Sequence, residues 1–467
     1  MSALRITVGW VAAAVAGRIV SGDPEEVVGN IITDSRSLRT GDFFIALRGA
    51  RFDGHAFVDE ALERGALGAL VENVPMERAF GERQVVIAAG DTTVALQDLA
   101  HAIREATDTK VIAITGSAGK TTTKDTIADF LSESYRVVKN KGNLNNHIGL
   151  PISLMQLRER PDVAVMELGM NHAGEISRLV AIADPDVRVW TNVGDAHLGF
   201  FESPDAIADA KAEILERAES HDVLVCNADD ARVMTRAARF VGRVVSFGEA
   251  RAASVRATEI EDRGLEGMRT RVVTVAGDRI IETPLLGRGN LANVLAATAV
   301  ALEFGIPLDA IAARAAALRP SDRRGAVHHL RGGVTLVDDS YNSSPTALKR
   351  ALEVIANERR AVRKVAVLGE MLELGAFSVE MHRTAGRAAA AARLDALFVV
   401  GGQPARELAE AAVEDGMSPA DIRYFEQSAT AAPEVAAAIR AGDVVLVKGS
   451  RGTRTDLIAD RIAEAFA

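Results

Sequence analysis

The segment Ile114–Leu131, "ITGSAGKTTTKDTIADFL", has the residues of a phosphate-binding loop but an unusual glycine spacing. The common nucleotide loop, G-x-x-x-x-G-K-[ST], would require glycine at position 114. Here the pattern is Gly116-x-x-Gly119-Lys120-Thr121. The preceding apolar run "VIAIT" predicts a buried strand, and a helix is expected to begin near Lys120. Because backbone N–H groups and the dipole at a helix start favour an anion, the segment predicts a site for phosphate.

The side chains of this loop suit the binding of a nucleotide. Lys120 can reach the β- and γ-phosphate oxygens, and the hydroxyl of Thr121 can hold Mg²⁺. A glycine turn with an incidental lysine is the alternative, but three consecutive threonines directly after a buried strand favour the nucleotide site. The predicted ATP-binding residues of the loop are Gly116, Ser117, Ala118, Gly119, Lys120, Thr121 and Thr122.

Three further candidates lie at or after predicted strands. Glu167 ends the apolar run Val163–Met166, at the carboxyl end of a strand, where α/β sheets bind ligands, so its carboxylate can meet the same Mg²⁺. His197 follows another strand, and Lys211 lies on the next predicted helix. Strands often end in acids, histidines are more often structural than ligands, and helix lysines usually lie at the surface. The positions alone therefore leave both interpretations open.

Composition and charge exclude several classes of protein. The 467 residues allow about three domains of roughly 150 residues each. The net charge is −10 with no block of basic residues, which argues against a nucleic-acid partner. No segment approaches about 20 uninterrupted apolar residues, and the apolar run near the N terminus is broken by Arg18, so neither a membrane span nor a signal peptide is expected. The single Cys226 suits a reducing compartment, and the sequence predicts a cytoplasmic protein.

The pattern along the chain predicts three α/β domains. Residues 1–90 hold short strand runs around a helix, as a small N-terminal domain. Residues 91–319 alternate strands and helices, which predicts a central P-loop ATPase-like domain with a parallel sheet, and the runs between about 243 and 285 predict an antiparallel side sheet with glycine-containing turns. After the expected linker Arg319–Asp322 the alternation restarts, so residues 320–467 predict a Rossmann-like, doubly wound C-terminal domain.

The order of short motifs along the chain resembles that of the Mur ligases of peptidoglycan synthesis. These motifs are "TGSAGKTTTK", "NKGNLNNHIGLP", "MELGMN", "NVGDAHLGFF", "DAKAEI", "DDSYNSSP", "LGEMLELG" and "VKGSRG". The resemblance covers nearly the whole chain, and the shortened glycine loop is the form that this family has. "YNSSP" and "NNHIGLP" favour the branch that adds a dipeptide, and the Asp-Asn-Pro-Arg element usual in the branch that adds the third residue is missing from the sequence.

The resemblance implies an ATP-dependent amide ligase. The terminal carboxylate of UDP-MurNAc-tripeptide would take the γ-phosphoryl group of ATP, giving an acyl phosphate and ADP. The amine of D-alanyl-D-alanine would then attack, and phosphate would leave. No enzyme nucleophile is needed, which agrees with Cys226 having no evident activating base. The expected enzyme is a cytoplasmic monomer that serves cell-wall biogenesis, and with it cell shape and division.

The same resemblance implies roles for the catalytic residues Lys120, Glu167, His197 and Lys211. Thr121 and Glu167 would ligate a Mg²⁺ between the β- and γ-phosphates, and His197 would hold a second Mg²⁺ beside the substrate carboxylate. Two metals suit a step that brings like charges together. Lys211 matches the lysine that family members carbamylate, which would turn a cation into an anion able to orient the metal site.

Further contacts with ATP are implied by the resemblance at Asn293, Arg324 and Asp339. "LLGRGNLANVLAA" corresponds to the family's G-x-H-N-x-x-N segment, in which Gly289 stands where histidine is usual. Any contact of that side chain with adenine is therefore lost, and Asn293 remains the candidate. Asn290 is better explained as the N-cap of the helix that follows.

The substrate contacts implied by the resemblance come from all three predicted domains. They are Ser35 and Arg36 in the N-terminal UDP-sugar-binding domain, Asn145 and Asn146 in the central domain, and Tyr341, Asn342, Lys448, Ser450 and Arg451 in the C-terminal domain. The loop "VKGSRG" would face D-alanyl-D-alanine, and Arg451 suits bidentate contact with the dipeptide's carboxylate. Without the resemblance, an Asn-rich stretch is more often a turn than a site.

Three other functions remain open from the sequence. A P-loop ATPase switch would use Lys120, Thr121 and Glu167 but leave the N-terminal segment and "VKGSRG" unexplained. A non-enzymatic UDP-sugar-binding module would leave the phosphate loop unexplained. Folate polyglutamylation is the nearest chemical competitor. Whether the third peptide residue is lysine or diaminopimelate is also open, and three domains with three substrates predict closure before chemistry.

Overall fold

The N-terminal part of the chain folds around a five-stranded sheet. A computed structural model describes residues 3–49, 52–73, 84–195 and 198–467. The elements of this part are α1 (Val8–Ala14), β1 (Arg18–Ser21), β2 (Ile31–Ile32), β3 (Phe43–Ile45), α2 (Val58–Glu63), β4 (Gly68–Val71) and β5 (Val85–Ala88). The strand order is β1-β5-β4-β3-β2, and only β1 runs antiparallel to its neighbour. The apolar run near the N terminus forms α1, whose Val8 and Val11 are fully buried in the core.

The central part is built on a nine-stranded sheet. Its strands are β6 (Lys110–Thr115), β7 (Val137–Lys139), β8 (Val163–Glu167), β9 (Val187–Trp190), β10 (Val223–Asn227), β11 (Arg243–Gly248), β12 (Val255–Asp262), β13 (Met268–Thr274) and β14 (Gly277–Thr283). Its helices are α3 (Thr92–Glu105), α4 (Lys120–Leu131), α5 (Gly149–Leu154), α6 (Glu175–Ala183), α7 (Pro204–Ala212), α8 (Ala231–Ala237), α9 (Gly287–Glu303) and α10 (Leu308–Ala317). The strand order is β14-β13-β12-β11-β10-β9-β6-β8-β7.

Neighbouring strands are parallel across β7, β8, β6, β9, β10, β11 and β12. The last two pairs at the other edge, β12 with β13 and β13 with β14, are antiparallel. The antiparallel pairing predicted before residue 285 is confirmed for β12, β13 and β14. These strands extend one edge of the main sheet and do not form a side sheet, and β11, at the start of the predicted range, is parallel to its neighbours. Strand β6 shows why the parallel part forms here, since Val111, Ile112, Ala113 and Ile114 are all fully buried. A strand covered by helices on both faces needs such a continuous apolar run.

The C-terminal part has a six-stranded sheet of mostly parallel strands. Its elements are β15 (Ala326–His329), β16 (Thr335–Asp339), α11 (Pro345–Asn357), β17 (Arg363–Gly369), α12 (Ser378–Ala391), β18 (Ala396–Val400), α13 (Gln403–Glu414), β19 (Ile422–Phe425), α14 (Ser428–Ala438), β20 (Asp443–Lys448) and α15 (Asp456–Ala465). The strand order is β15-β16-β20-β17-β18-β19, and only β15 is antiparallel to its neighbour. The predicted α/β class is confirmed, and the described residues form one sheet in each part.

The domain boundaries remain a proposal that the positions of these elements support. We place the first boundary between residues 90 and 91, just before α3, which contacts α5 and α6 of the central part. Helix α3 also belongs to an apolar core that continues into the N-terminal sheet, so this boundary crosses a shared core. The second boundary, between residues 319 and 320, lies between α10 and β15. Within the described residues, no helix is both long and apolar enough to cross a lipid bilayer.

The start of α9 differs from the prediction for Asn290. The helix begins at Gly287, whose φ of 74° lies in the left-handed region that glycine tolerates. Asn290 therefore lies inside the first turn, and its Nδ2 donates to the backbone oxygen of Leu286 at 2.9 Å. The predicted N-cap role of Asn290 is wrong because the glycine lets the helix start earlier.

Candidate active site

The phosphate loop connects β6 to α4, as predicted. Its two glycines allow the loop backbone to lie close to Thr191 and Asn293. Gly116 has a φ of 151° and Gly119 a φ of 84°, and both lie in the region that favours glycine. A Cβ on Gly116 would overlap the hydroxyl oxygen of Thr191, and a Cβ on Gly119 would overlap the side-chain oxygen of Asn293. Any other residue at these two positions would push the loop away from its supports.

The segment after β9 braces the loop through two residues that the sequence did not single out. Asn192 accepts a bond from the backbone N–H of Ala118 at 2.9 Å and donates Nδ2 to the backbone oxygen of Ala118 at 3.0 Å. Thr191 donates its hydroxyl to the same oxygen at 2.8 Å. In the described part of the chain, the first N–H groups of α4 have no acceptor, so they are available for an anion.

The ammonium of Lys120 folds back over the loop. Its Nζ donates to the backbone oxygen of Gly116 at 2.8 Å. Desolvation lowers the pKa of Lys120, the nearby Glu167 opposes this shift, and Arg324 adds to it. The side chain keeps some accessible surface because it faces an open cavity, although the surrounding protein desolvates the ammonium. A phosphate placed there would supply the negative charge that this group lacks.

Thr121, in the first turn of α4, lies beside Glu167 at the end of β8. The hydroxyl of Thr121 donates to one carboxylate oxygen of Glu167 at 2.7 Å, and Asn145 donates to the other at 2.9 Å. Hydroxyl and carboxylate oxygens are ligands that Mg²⁺ prefers, and this ion commonly takes its remaining ligands from phosphates and water. These two residues therefore fit the predicted metal. Among the described residues, no three His, Cys, Asp or Glu side chains form a metal-binding group.

Asn140 and Lys124 hold Glu167 in place, and neither was predicted. Asn140 accepts from the backbone N–H of Glu167 at 3.0 Å and donates to its backbone oxygen at 3.1 Å. Lys124, which is 2% exposed, donates to the backbone oxygen of Asn140 at 2.8 Å. Both side chains act on the backbone of the site, which explains why a search for catalytic side chains overlooks them.

Lys211 lies on α7 and is 1% exposed. Burial holds the pKa of its ammonium well below the ordinary value of 10.5, and the positive charge of Lys120 lowers it further. Over the described ranges, the ammonium of Lys211 forms neither a hydrogen bond nor an ion pair. A buried lysine with no carboxylate partner is unusual, because an unpaired charge is costly to bury. His197, the other predicted residue of this group, lies outside the described residues.

A cavity of about 870 Å³ lies between the central and C-terminal parts. It brings together most of the predicted site residues, namely Ser117, Ala118, Gly119, Lys120, Thr121, Thr122, Asn145, Asn146, Glu167, Asn293, Arg324, Asp339, Tyr341, Asn342, Lys448, Ser450 and Arg451. The described residues that line this cavity do not include Gly116, Lys211, Ser35 or Arg36. Arg36 instead pairs with Asp34 at 2.7 Å and lowers the pKa of Asp34 to about 2.

The C-terminal wall of the cavity carries three cations, one paired with a carboxylate and two beside an aromatic ring. Lys448, which is 3% exposed, contacts a carboxylate oxygen of Asp339 at 2.6 Å and the backbone oxygen of Asn342 at 3.0 Å. The guanidinium carbon of Arg324 lies 4.1 Å from the centre of the Tyr341 ring, and that of Arg451 lies 5.9 Å from it. Tyr341 thus groups two arginines on the wall that faces the phosphate loop.

Two asparagines that line the cavity, Asn293 and Asn146, also form hydrogen bonds within the protein. Thr123 donates its hydroxyl to Asn293 at 3.2 Å, and Asn293 donates to Asn290 at 3.1 Å. Asn146 accepts from the backbone N–H of Gly149 at 2.8 Å, at the start of α5. The turn interpretation of the Asn-rich stretch therefore holds for Asn146 alongside its place in the cavity wall.

Similarity to known proteins extends over nearly the whole chain and includes the residues of this site. Residues 27–110 match the "Mur ligase family, catalytic domain", residues 114–301 the "Mur ligase middle domain", and residues 323–451 the "Mur ligase, glutamate ligase domain". A UDP-N-acetylmuramoyl-tripeptide–D-alanyl-D-alanine ligase of Bacillus subtilis is 32% identical over 467 residues, which cover 99% of each protein. The chain belongs to the Mur ligase family.

Solved structures support the same assignment. A crystal structure of MurF from Acinetobacter baumannii superposes with a TM-score of 0.89 at 32% identity, covering 99% of this chain and all (100%) of that one. MurF ligase from Thermotoga maritima, in complex with ADP, has a TM-score of 0.83 at 28% identity, covering 94% and 98%. The predicted family and fold are therefore confirmed, and this Mur ligase is an ATP-dependent ligase by family.

Proposed function

We propose that this Mur ligase joins D-alanyl-D-alanine to the terminal carboxylate of UDP-MurNAc-tripeptide at the expense of ATP. The observation that carries the proposal is the cavity in which the phosphate loop faces the cations of the C-terminal part. Such a cavity can hold a nucleotide, an acceptor carboxylate and a dipeptide at once. The relative from Bacillus subtilis, which has this activity in its name, matches 99% of the chain.

The first half-reaction transfers the γ-phosphoryl group. A carboxylate oxygen of the tripeptide attacks the γ-phosphorus, and ADP leaves. The transfer brings anions together, so it depends mainly on positioning and charge stabilisation. Lys120 and the free N–H groups at the start of α4 hold the phosphates. Thr121 and Glu167 would hold Mg²⁺, which supplies positive charge to the phosphate oxygens when it is bound.

The second half-reaction forms the amide. The amine of D-alanyl-D-alanine attacks the acyl carbon, loses a proton, and phosphate leaves. Arg451 is exposed in the cavity and would bind the dipeptide's carboxylate, while Lys448 orders Asn342 and Asp339 beside it. Arg324, whose positive charge reaches Lys120, would contact phosphate. Ser450 orients the loop after β17 by accepting from the backbone N–H of Leu372 at 2.9 Å.

Several finer assignments belong to the same proposal. The buried position and lowered pKa of Lys211 support its carbamylation, because a neutral amine is the form that adds CO₂. His197 would serve a second Mg²⁺. Ser35 and Arg36 would contact the UDP-sugar, and Asn293 the adenine. The enzyme would act as a monomer in the cytoplasm, where its nucleotide-linked substrate is made.

A panel of acceptors tests the proposed reaction. ATP and D-alanyl-D-alanine are supplied with UDP-MurNAc-tripeptide containing lysine or diaminopimelate, and a folate with glutamate is the competing pair. We expect phosphate release and an amide product, detected by mass spectrometry, only with a UDP-tripeptide. Folate-dependent product would assign the competing ligation. ATP hydrolysis at the same rate with and without every carboxylate acceptor would instead indicate an ATPase switch.

The contact between the central and C-terminal parts at Gly199 provides a test of domain closure. A Cβ on Gly199 would lie 2.7 Å from the backbone nitrogen of Gly375 and 2.8 Å from the backbone oxygen of Glu373. Because these are backbone atoms, Gly199→Ala requires the backbone at this contact between the two parts to shift. We expect the ligation kcat to fall on the order of tenfold to 100-fold, since small misplacements of reacting groups are costly. Steady-state kinetics and small-angle scattering with all ligands measure the effect.

Gly90→Ala is the matched control for this substitution. A Cβ on Gly90 would meet nothing within 4 Å, and neither glycine has a positive φ, so both alanines are tolerated by the backbone itself. The control should keep wild-type kinetics and scattering. Equal kinetics for the two variants would show that the Gly199 contact is not needed for the reaction.

A further inference from the structure

Arg350 is a cation in the nucleotide cavity for which the proposed reaction has no use. It lies on α11 and lines the cavity wall. No described residue forms a hydrogen bond or an ion pair with it. Its side chain is exposed because it faces the open cavity, yet the surrounding protein desolvates the guanidinium and lowers its pKa, against the opposing charges of Glu353 and Asp230. Such a group is available for a ligand.

The start of α11 is fixed against the central part in a way that directs Arg350. Thr346 donates its hydroxyl to a carboxylate oxygen of Asp195 at 3.0 Å, in the segment after β9. Arg350 lies four residues further along the helix, hence on the same face. This face meets the start of α9, where a Cβ on Gly289 would lie 3.0 Å from Cδ and 3.2 Å from Nη1 of Arg350. Arg350 thus fills the space that a side chain at position 289 would need.

The cavity wall around Arg350 consists of small and apolar side chains, which suit contact with a nucleotide base. Small or apolar residues from the two helices line it, namely Leu286, Gly287, Ala347, Ala351 and Val354. The helices approach closely, since a Cβ on Gly287 would lie 2.8 Å from Cγ2 of Val354. The phosphate loop lies at the other end of this wall, where Gly119 meets Asn293. A nucleotide with its phosphates on the loop has room in the same cavity to extend its base along this wall to Arg350.

We propose that Arg350 contacts the purine base of the bound nucleotide, in the place that the missing side chain of Gly289 leaves open. The inference rests on the ATP site of the proposed function. A guanidinium is planar and only donates hydrogen bonds, so it can lie against a ring or donate to ring nitrogens. Arg350 is thus a specificity-determining residue for the nucleotide, contributed by the C-terminal part across the domain contact.

Calorimetric titration with two probes separates a base contact from a phosphate contact. Wild type and Arg350→Ala are titrated with ADP and with inorganic tripolyphosphate. We expect Arg350→Ala to bind ADP roughly three- to thirtyfold more weakly, as for a lost cation–ring contact, and to bind tripolyphosphate as wild type does. Lys349→Ala, which removes the neighbouring exposed lysine, is the control and should not change either affinity. Unchanged ADP binding by Arg350→Ala, or equal loss for both probes, would overturn the inference.

A second substitution tests whether Arg350 and position 289 share one space. Gly289→His should weaken ADP binding because the histidine collides with Arg350, and adding Arg350→Ala should recover part of the loss. Additive effects of the two changes would contradict a shared space. Thermal unfolding of each variant checks that it folds. ADP binding needs no acceptor, so a failure to ligate UDP-tripeptides would refute the proposed reaction and leave this test of Arg350 intact.

Discussion

Lys120→Ala is expected to lower ATP turnover and ligation by about 10²- to 10³-fold or more, which is the usual cost of removing a group that stabilises transition-state charge. The ammonium of Lys120 is desolvated and lies over the loop, 2.8 Å from the oxygen of Gly116, where the γ-phosphate must pass. Binding of UDP-MurNAc-tripeptide should persist, because the proposed contacts with the UDP-sugar do not include Lys120. ADP release measured in a coupled assay and calorimetry with the UDP-tripeptide separate these two effects.

Lys110→Ala is the matched control on the same strand. Lys110 lies at the opposite end of β6, is 58% exposed, and pairs with Asp186 at 2.7 Å. An exposed ion pair of this kind contributes little to stability, so the variant should turn over ATP as wild type does. Ligation retained by Lys120→Ala would remove the loop from the mechanism, whatever the control shows.

The phosphate loop could be predicted from sequence because its signals are local. A buried apolar strand, two glycines and the pair Lys120–Thr121 follow one another directly, and the structure places them as expected. Strands such as β4, β6 and β20 could be predicted for a similar reason, since fully buried strands have continuous apolar runs, whereas the partly buried edge strands β1 and β2 were not predicted. The cap expected at Asn290 failed because the left-handed Gly287 shifts the helix start, and a glycine's φ cannot be read from its neighbours.

The supports of the site could not be predicted, because they come from distant parts of the chain. Asn192 braces Ala118 across 74 residues, and Asn140 holds the backbone of Glu167 across 27 residues. Nothing in their local sequence distinguishes these asparagines from turn residues. The same limit applies to Arg350, which looks like an ordinary surface arginine of an amphipathic helix until α9 and α11 are brought together.

The predicted contacts with the UDP-sugar show a limit of assigning residues by resemblance. Ser35 and Arg36 were assigned by resemblance, and the structure places Arg36 in an exposed pair with Asp34, away from the main cavity. A substrate with a long UDP-sugar tail can reach beyond that cavity, so the assignment stays a prediction. The resemblance identifies which residues belong to the family's motifs, whereas only the arrangement of the domains decides which of them meet one substrate.

Replacing Lys211 with methionine is expected to lower ligation by about 10- to 100-fold, the usual effect of losing a group that orients metal ligands. In the proposed carbamylation, the neutral amine of Lys211 would add to the carbon of CO₂ and lose a proton, which would leave a carbamate anion. Activity of wild type should therefore depend on bicarbonate, and that of Lys211→Met should not. Lys211→Glu, which supplies a carboxylate without CO₂, should keep more activity than Lys211→Met. Assays in CO₂-free and bicarbonate buffers, with ¹³C-bicarbonate NMR of the carbamate, measure these effects.

The pH dependence of stability gives an independent check on Lys211. Its pKa in the folded protein lies well below the value of 10.5 expected in the unfolded chain, mainly because of burial. Between these two values the unfolded chain binds a proton that the folded protein has released, so the free energy of unfolding in CO₂-free buffer should rise with pH. Lys211→Met should lack this slope, whereas the exposed-lysine variant Lys349→Met should retain it. If wild type and Lys211→Met have the same slope and the same response to bicarbonate, the side chain is neither titrating nor carbamylated, and its burial has only a packing role.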